Sequence, residues 1–82
     1  MTSRDVAFGR SLLKQIMEDV RKHTTPKQRK SVWTYSFGRD NWEVQSTGSN
    51  KVTPSRWYGR ASSAYEARAC FWAQWLEANK IR

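Results

Sequence analysis

The sequence predicts an α+β domain in the order helix, three antiparallel strands, helix (α-β-β-β-α), with the helices packed on one face of the sheet. Three observations predict this order. Apolar residues recur at helical spacing between positions 3 and 22, alternate with polar residues between 31 and 61, and return to helical spacing from 63 to 79. With 82 residues we expect a single domain, 1–82, whose small core relies on aromatic side chains, because each ring buries a large area.

Residues 3 to 22 are predicted to form an amphipathic N-terminal helix, with Ser3 as its cap and Asp5 in its first turn. The apolar stripe that should face the core comprises Val6, Leu13, Ile16, Met17 and Val20. Phe8 and Leu12 lie beside this stripe, where they either widen the core contact or form a partner surface.

Residues 23 to 30 are predicted to be a basic linker, because Pro26 prevents the helix from continuing. No acidic residue occurs between Arg21 and Arg39. Such a run is either a solvated connector or a segment that grips phosphates, and both interpretations stay open.

Residues 31 to 61 are predicted to form the three-stranded sheet. The segment 31 to 37 alternates aromatic with smaller residues, Gly38-Arg39-Asp40-Asn41 supplies a hairpin turn, and 42 to 46 returns. A loose loop over 45 to 55 leads to the third strand, 56 to 61. The face predicted to lie in the core carries Trp33, Tyr35, Phe37, Trp42, Val44 and Trp57.

Residues 63 to 79 are predicted to form the C-terminal helix. Ser63 and Glu66 have the spacing of a capping box, in which each side chain bonds the other residue's amide. We expect the residues that face the core to be Ala64, Ala67, Phe71, Trp75 and Ala78, with Arg68, Trp72 and Leu76 on the flank. The residues left for solvent are then Glu66, Cys70, Gln74 and Glu77.

The charge of the chain indicates an anionic partner. Fifteen Lys and Arg against seven Asp and Glu give a net charge of +8, a large surplus for this length. Nucleic acid is the commonest partner of such proteins. We therefore expect a nucleic-acid-binding protein.

Several function classes are not expected. The sequence contains no arrangement of carboxylates, nucleophile and base, or phosphate-binding glycines that would indicate an enzyme or a small-molecule substrate. Cys70 and His23 cannot form a structural metal site, so no metal or cofactor is expected, and Cys70 is interpreted as a half-buried structural residue. No signal peptide or membrane-spanning run is evident, so a cytoplasmic location without membrane association is expected.

The face of the sheet opposite the predicted core is the candidate binding surface. We expect it to display Thr34, Ser36, Glu43, Gln45, Arg56, Tyr58 and Arg60. Arg can bond guanine with two hydrogen bonds and Gln can bond adenine in the same way, although any exposed sheet face is expected to be polar. The complete set of predicted nucleic-acid-binding residues is Thr34, Arg39, Gln45, Lys51, Arg56, Tyr58, Arg60, Lys27, Arg29 and Lys30.

The segment Trp57-Tyr58-Gly59-Arg60-Ala61-Ser62-Ser63-Ala64-Tyr65-Glu66-Ala67-Arg68-Ala69 resembles the last strand and helix start of two DNA-binding families. These are the plant ethylene-response-factor type domain and the arm-site-binding domain of tyrosine recombinases. Both families lay a three-stranded sheet in the major groove, so the resemblance implies duplex DNA, rather than RNA, as the favoured partner. The resemblance covers about residues 31 to 78 and implies that Arg56, Tyr58 and Arg60 read DNA while Gly59 and Ala67 are packing residues.

The order of elements also resembles the double-stranded-RNA-binding domain. That family carries two lysines at the start of its last helix, where this chain has Ala64 and Tyr65. The resemblance therefore implies a shared order of elements without that family's phosphate-binding surface.

A second function class stays open beside nucleic-acid binding. A small single-domain inhibitor or adaptor encoded by a phage or mobile element would bind a host protein, for example a nucleic-acid-handling or defence complex. The residues expected to dominate that interface are Trp72, Leu76, Phe8 and Tyr58, because large aromatic side chains are common at hot spots.

Overall fold

A computed structural model describes residues 10 to 81 and confirms the predicted α+β class. Its elements are α1 (Arg10–His23), α2 (Pro26–Lys30), β1 (Val32–Gly38), β2 (Asn41–Ser46), β3 (Arg56–Arg60) and α3 (Ala64–Ala78). The predictions made for residues 3 to 9, including Ser3, Asp5, Val6 and Phe8, lie outside the described residues.

Helix α1 presents the predicted stripe to the core. Ile16 and Val20 are buried and Leu13 and Met17 half-buried, because these positions recur every three or four residues along one side of the helix. Leu12 lies beside the stripe and is exposed. The helix packs against α3.

The basic linker contains a short helix, α2, which begins where Pro26 was predicted to end α1. Thr25 caps it: its hydroxyl accepts from the Gln28 amide at 3.2 Å, and the Gln28 side chain accepts from the Thr25 amide at 2.8 Å. Proline is well suited to this first turn, where its missing N–H has no helical partner. The linker is therefore an ordered turn of helix rather than an irregular connector.

The three strands are antiparallel in the order β1-β2-β3. Arg39 and Asp40 form the tip of the predicted first hairpin and have φ of 50° and 64°, as a tight two-residue turn requires. Beside this turn, Ser36 pairs with Trp42 and Gly38 with Asn41, which leaves Phe37 as one extra residue in β1. Such a β-bulge shifts the register by one, and a one-residue shift exchanges the two faces of a strand.

The predicted core face is therefore wrong for β1. Trp33, Tyr35 and Phe37 were expected in the core, but they are 56%, 45% and 58% exposed. Val32 is buried instead, and Thr34 lies opposite Val44, which is fully buried. For β2 and β3 the prediction holds, since Trp42, Val44 and Trp57 pack in the core cluster.

Helix α3 covers the inner face of the sheet and contacts all three strands. Trp72 packs edge-on against both Phe71 and Trp75, with ring centroids 4.9 and 5.5 Å apart. The assignment of its sides was partly wrong: Trp72, Leu76 and Glu66 are buried, whereas Ala78 is exposed. Sheet on one side and α1 on another leave this helix with a wider buried surface than a single stripe.

The cap of α3 also differs from the predicted capping box. The Ser63 hydroxyl accepts from the Glu66 amide at 3.1 Å, as expected. The Glu66 carboxylate, however, accepts from the amide and the hydroxyl of Ser62, both at 2.7 Å. These hydrogen bonds and the position in the first helical turn account for a buried carboxylate there.

Hydrogen bonds hold the loop between β2 and β3 in place. The Val52 amide donates to the Ser46 hydroxyl at 3.0 Å, and the Asn79 side chain donates to the Thr53 carbonyl at 3.0 Å. Val52 itself belongs to the core. Among residues 10 to 81, no helix combines the length and the apolar character that a membrane span requires.

Candidate nucleic-acid interface

The side of the sheet turned away from α3 is an extended surface that we call the open face. Alternation along the paired strands assigns to it Trp33, Tyr35, Phe37, Asn41, Glu43, Gln45, Arg56, Tyr58 and Arg60. The bulge at Phe37 is what brings the β1 aromatic residues to this side. The surface thus combines aromatic, amide and guanidinium groups.

The strand register arranges these residues in rows. In one row Trp33 pairs with Gln45, which pairs with Arg56. In the next, Tyr35 pairs with Glu43, which pairs with Tyr58. The open face therefore has an aromatic edge on β1 and an edge on β3 where two arginines flank a tyrosine.

The exposed rings also meet across the sheet. Tyr58 is 65% exposed, and its ring centroid lies 5.9 Å from that of Phe37 at an interplanar angle of 53°. The two rings thus contact each other at the surface in the tilted arrangement that aromatic pairs prefer. In all, four large aromatic side chains are exposed on this one face of the sheet.

Glu43 is the one acidic member of the open face. Its carboxylate oxygen Oε2 lies 2.8 Å from the Nε of Arg56 and accepts a hydrogen bond of 2.8 Å from the Gln45 amide group. The Glu43 side chain is 18% exposed and that of Arg56 is 68% exposed. Arg56 offsets the carboxylate while its guanidinium stays largely in solvent.

The predicted site residues fall into two groups. Gln45, Arg56, Tyr58 and Arg60 lie together on the open face, as predicted. Thr34 does not, because the bulge turns it to the inner side, where it pairs with Val44 and is half-buried. Ser36 is on the inner side too, opposite Trp42, although it is exposed.

The remaining predicted residues lie off the sheet face. Arg39 is exposed at the tip of the first hairpin, and Lys51 is exposed in the loop after β2. Lys27 and Lys30 are exposed on α2. Arg29 folds back along the chain, where its Nη1 donates to the carbonyl and hydroxyl oxygens of Thr24 at 2.8 and 2.9 Å. Arg29 therefore has a structural role that the charge pattern did not indicate.

The sequence interpretation missed Trp33, Tyr35 and Phe37 as surface residues. A signal was available in their neighbour Val32, because a β1 that buries Val32 and Thr34 is also a regular alternating strand. The expected hot spots of a protein-binding surface also change, since Trp72 is fully buried and Leu76 nearly so. Of that set, Tyr58 is exposed, and Phe8 lies outside the described residues.

Cys70 is half-buried on α3, which confirms its interpretation as a half-buried residue and corrects its assignment to the solvent side of the helix. Burial raises the pKa of its thiol to about 11, and the nearby Glu66 carboxylate adds to this effect. The thiol is therefore protonated at neutral pH, when thiols are least reactive. Within the described part of the chain, no group of three His, Cys, Asp or Glu side chains has the arrangement of a metal site.

Comparisons with protein-family models, with curated proteins and with solved structures found no match to this chain.

Proposed function

We propose that this protein binds nucleic acid through the open face of its sheet. The observation that carries the proposal is the combination on one surface of four exposed aromatic side chains and two exposed arginines. Aromatic rings stack on bases and guanidinium groups bond phosphates and base edges. The net charge of +8 would draw a polyanion towards the whole molecule.

The local electrostatics of the surface support the same proposal. The carboxylate of Glu43 would repel phosphates, but it is bonded to Arg56 and Gln45. Arg60 lies on the same strand and the same side as Arg56, four residues along. Guanidinium groups spaced in this way would meet phosphates along a strand of nucleic acid.

The test is a salt titration of binding, measured by the fluorescence anisotropy of labelled 12-nucleotide DNA and RNA, single-stranded and duplex. We expect affinity to fall steeply between 50 and 200 mM salt, because each phosphate contact releases counterions. For single strands, the logarithm of the binding constant should fall against the logarithm of the salt concentration with a slope of about −0.7 per contact. The variant Arg56→Ala/Arg60→Ala should lower the steepness by about 1.4 for single strands and weaken binding about ten-fold or more.

The matched control removes the same charge elsewhere. Lys14→Ala/Lys22→Ala deletes two exposed lysines from α1, which packs on α3 rather than on the open face. This control should change affinity only slightly. Equal losses in the two variants would refute the assignment of the open face, and no binding to any of the oligonucleotides at 50 mM salt would refute nucleic-acid binding.

An absence of binding to every oligonucleotide would favour the other function class, a protein-binding inhibitor or adaptor. The exposed rings of Trp33 and Tyr58 are of the types that dominate protein interfaces, so the same surface would serve. The charge surplus favours nucleic acid over a protein partner.

A further inference from the structure

We infer that the nucleic acid bound by the open face is single-stranded, with unpaired bases stacked on the exposed rings of β1 and β3. This inference rests on the proposed function and specifies its ligand. The expectation of duplex DNA was drawn partly from a polar open face that included Thr34 and Ser36, and both of these residues lie on the inner side. What replaces them is an aromatic surface.

Aromatic rings can stack on nucleic-acid bases only where the faces of those bases are exposed. In a duplex each base is already stacked between its neighbours, and a protein reaches only base edges, sugars and phosphates. An unpaired strand can place its bases against aromatic side chains, which is how sheet surfaces bind single strands. Four exposed rings on one face therefore match an unpaired strand better than a groove.

The spacing along β1 supports this ligand. Trp33 and Tyr35 are successive outward residues, so their Cα atoms are about 6.6 Å apart, at about 3.3 Å per residue. Phosphates of one duplex strand advance by about 3.4 Å per base pair along the axis, so rings at twice that interval suit bases that are separated from each other. Each ring would then receive its own base.

The two edge strands of the sheet would contact different parts of a single-stranded nucleic acid: β1 its bases and β3 its phosphates. A nucleic-acid strand that lies along β1 presents its bases to Trp33 and Tyr35. The rings of Phe37 and Tyr58, which contact each other, lie nearer the hairpin turn. Arg56 on the outer strand β3 is then about 10 Å across the sheet, two inter-strand spacings, from the β1 aromatics. Its exposed guanidinium would reach phosphates on that side.

The experiment compares a 12-nucleotide single strand with the blunt duplex of the same sequence at 50 mM salt, by anisotropy. We expect the single strand to bind about ten-fold more tightly or better, and single-stranded DNA and RNA to bind within about ten-fold of each other, because every base has a π face. Trp33→Ala and Tyr35→Ala should each weaken single-strand binding by about 5- to 150-fold, whereas duplex binding should change little.

Two controls make the result specific. Tyr65→Ala removes a ring of similar exposure, 52%, from the first turn of α3, and it should leave single-strand binding unchanged. Trp33→Phe keeps a stacking surface and should restore most of the affinity lost in Trp33→Ala. Far-UV circular dichroism of each variant checks that the fold is retained.

Duplex binding equal to or tighter than single-strand binding, or equal losses in Trp33→Ala and Tyr65→Ala, would overturn this inference and leave salt-dependent nucleic-acid binding intact. A dimer in light scattering that Trp33→Ala converts to a monomer would overturn it as well, because a second copy would then cover the rings. Absence of binding to every oligonucleotide would instead remove the proposed function on which the inference rests.

Discussion

The burial of Val32 rather than Trp33 on β1 gives the strongest prediction for stability. Val32 and Trp33 are neighbours in sequence on opposite faces, with 7% and 56% of their surfaces exposed. Val32→Ala removes two buried methyl groups, worth about 0.8 kcal/mol each in transfer free energy, and leaves a small cavity. We therefore expect it to lower the free energy of unfolding by about 2 kcal/mol.

Trp33→Ala removes a far larger side chain and should nonetheless cost less. Because more than half of the Trp33 surface is in water in the folded protein, its loss should lower the free energy of unfolding by about 1 kcal/mol, the range of β propensity at a strand surface. A tryptophan in the core would instead cost about 3 to 5 kcal/mol on truncation. The order of the two effects is thus opposite to the order of side-chain size.

Urea unfolding followed by far-UV circular dichroism measures both variants without relying on tryptophan fluorescence. The midpoints should rank wild type, Trp33→Ala, Val32→Ala, with unchanged slopes. A Trp33→Ala variant that loses about 3 kcal/mol or more, beside a nearly neutral Val32→Ala, would show that the aromatic residues of β1 face the core after all.

Three further predictions concern single positions. Gly59→Ala should lower the free energy of unfolding by about 1 to 3 kcal/mol, because the new Cβ would lie 2.6 Å from the Trp57 ring; thermal unfolding checks this, and an unchanged midpoint would contradict the close approach. Cys70 should react with iodoacetamide in the native protein only as pH approaches about 11, whereas the urea-unfolded chain, ionising near 9.0, should react earlier; a native rate profile centred at or below pH 9 would contradict its burial. Because the thiol ionises at a lower pH in the unfolded chain than in the folded protein, the free energy of unfolding should also fall as the pH rises from 9.0 to about 11. Glu43→Gln should tighten oligonucleotide binding about three-fold at low salt, since a carboxylate about 6 Å from a phosphate costs about 0.7 kcal/mol in water, and weaker binding by anisotropy would mean that this carboxylate contacts the ligand.

Local patterns predicted most of the fold. Helical spacing located α1 and α3, the Ser63 cap and the Pro26 break placed their ends, and Gly38 with its neighbours located the hairpin. These features depend on a few consecutive residues, so the sequence carries them openly.

Which β1 residues lie on the open face could not be predicted from local patterns, because it depends on the register between two strands. Whether Trp33 or Val32 faces α3 is decided by the register between β1 and β2, and one extra residue at Phe37 reverses it. Both choices give a regular alternating strand, and the more apolar set was the natural choice for the core. The core instead takes its bulk from Trp42, Trp57 and α3.

The sequence did predict the β3 side of the candidate site. Arg56, Tyr58 and Arg60 were assigned to the outward face from alternation alone, and the structure places them there. The structural role of Arg29 could not be predicted from the sequence, because its hydrogen bonds to Thr24 depend on how α2 turns after α1.

The most direct test of the open face as a binding surface is a nuclear magnetic resonance titration of the five tryptophan indole N–H groups with a single-stranded 12-nucleotide oligonucleotide. Trp33 is exposed, whereas Trp42, Trp57, Trp72 and Trp75 are half-buried or buried, and the Trp42 indole already donates to the Ala61 carbonyl at 3.1 Å. We predict that the Trp33 signal shifts strongly on binding while the other four move little. An unchanged Trp33 signal under saturating oligonucleotide would contradict the account.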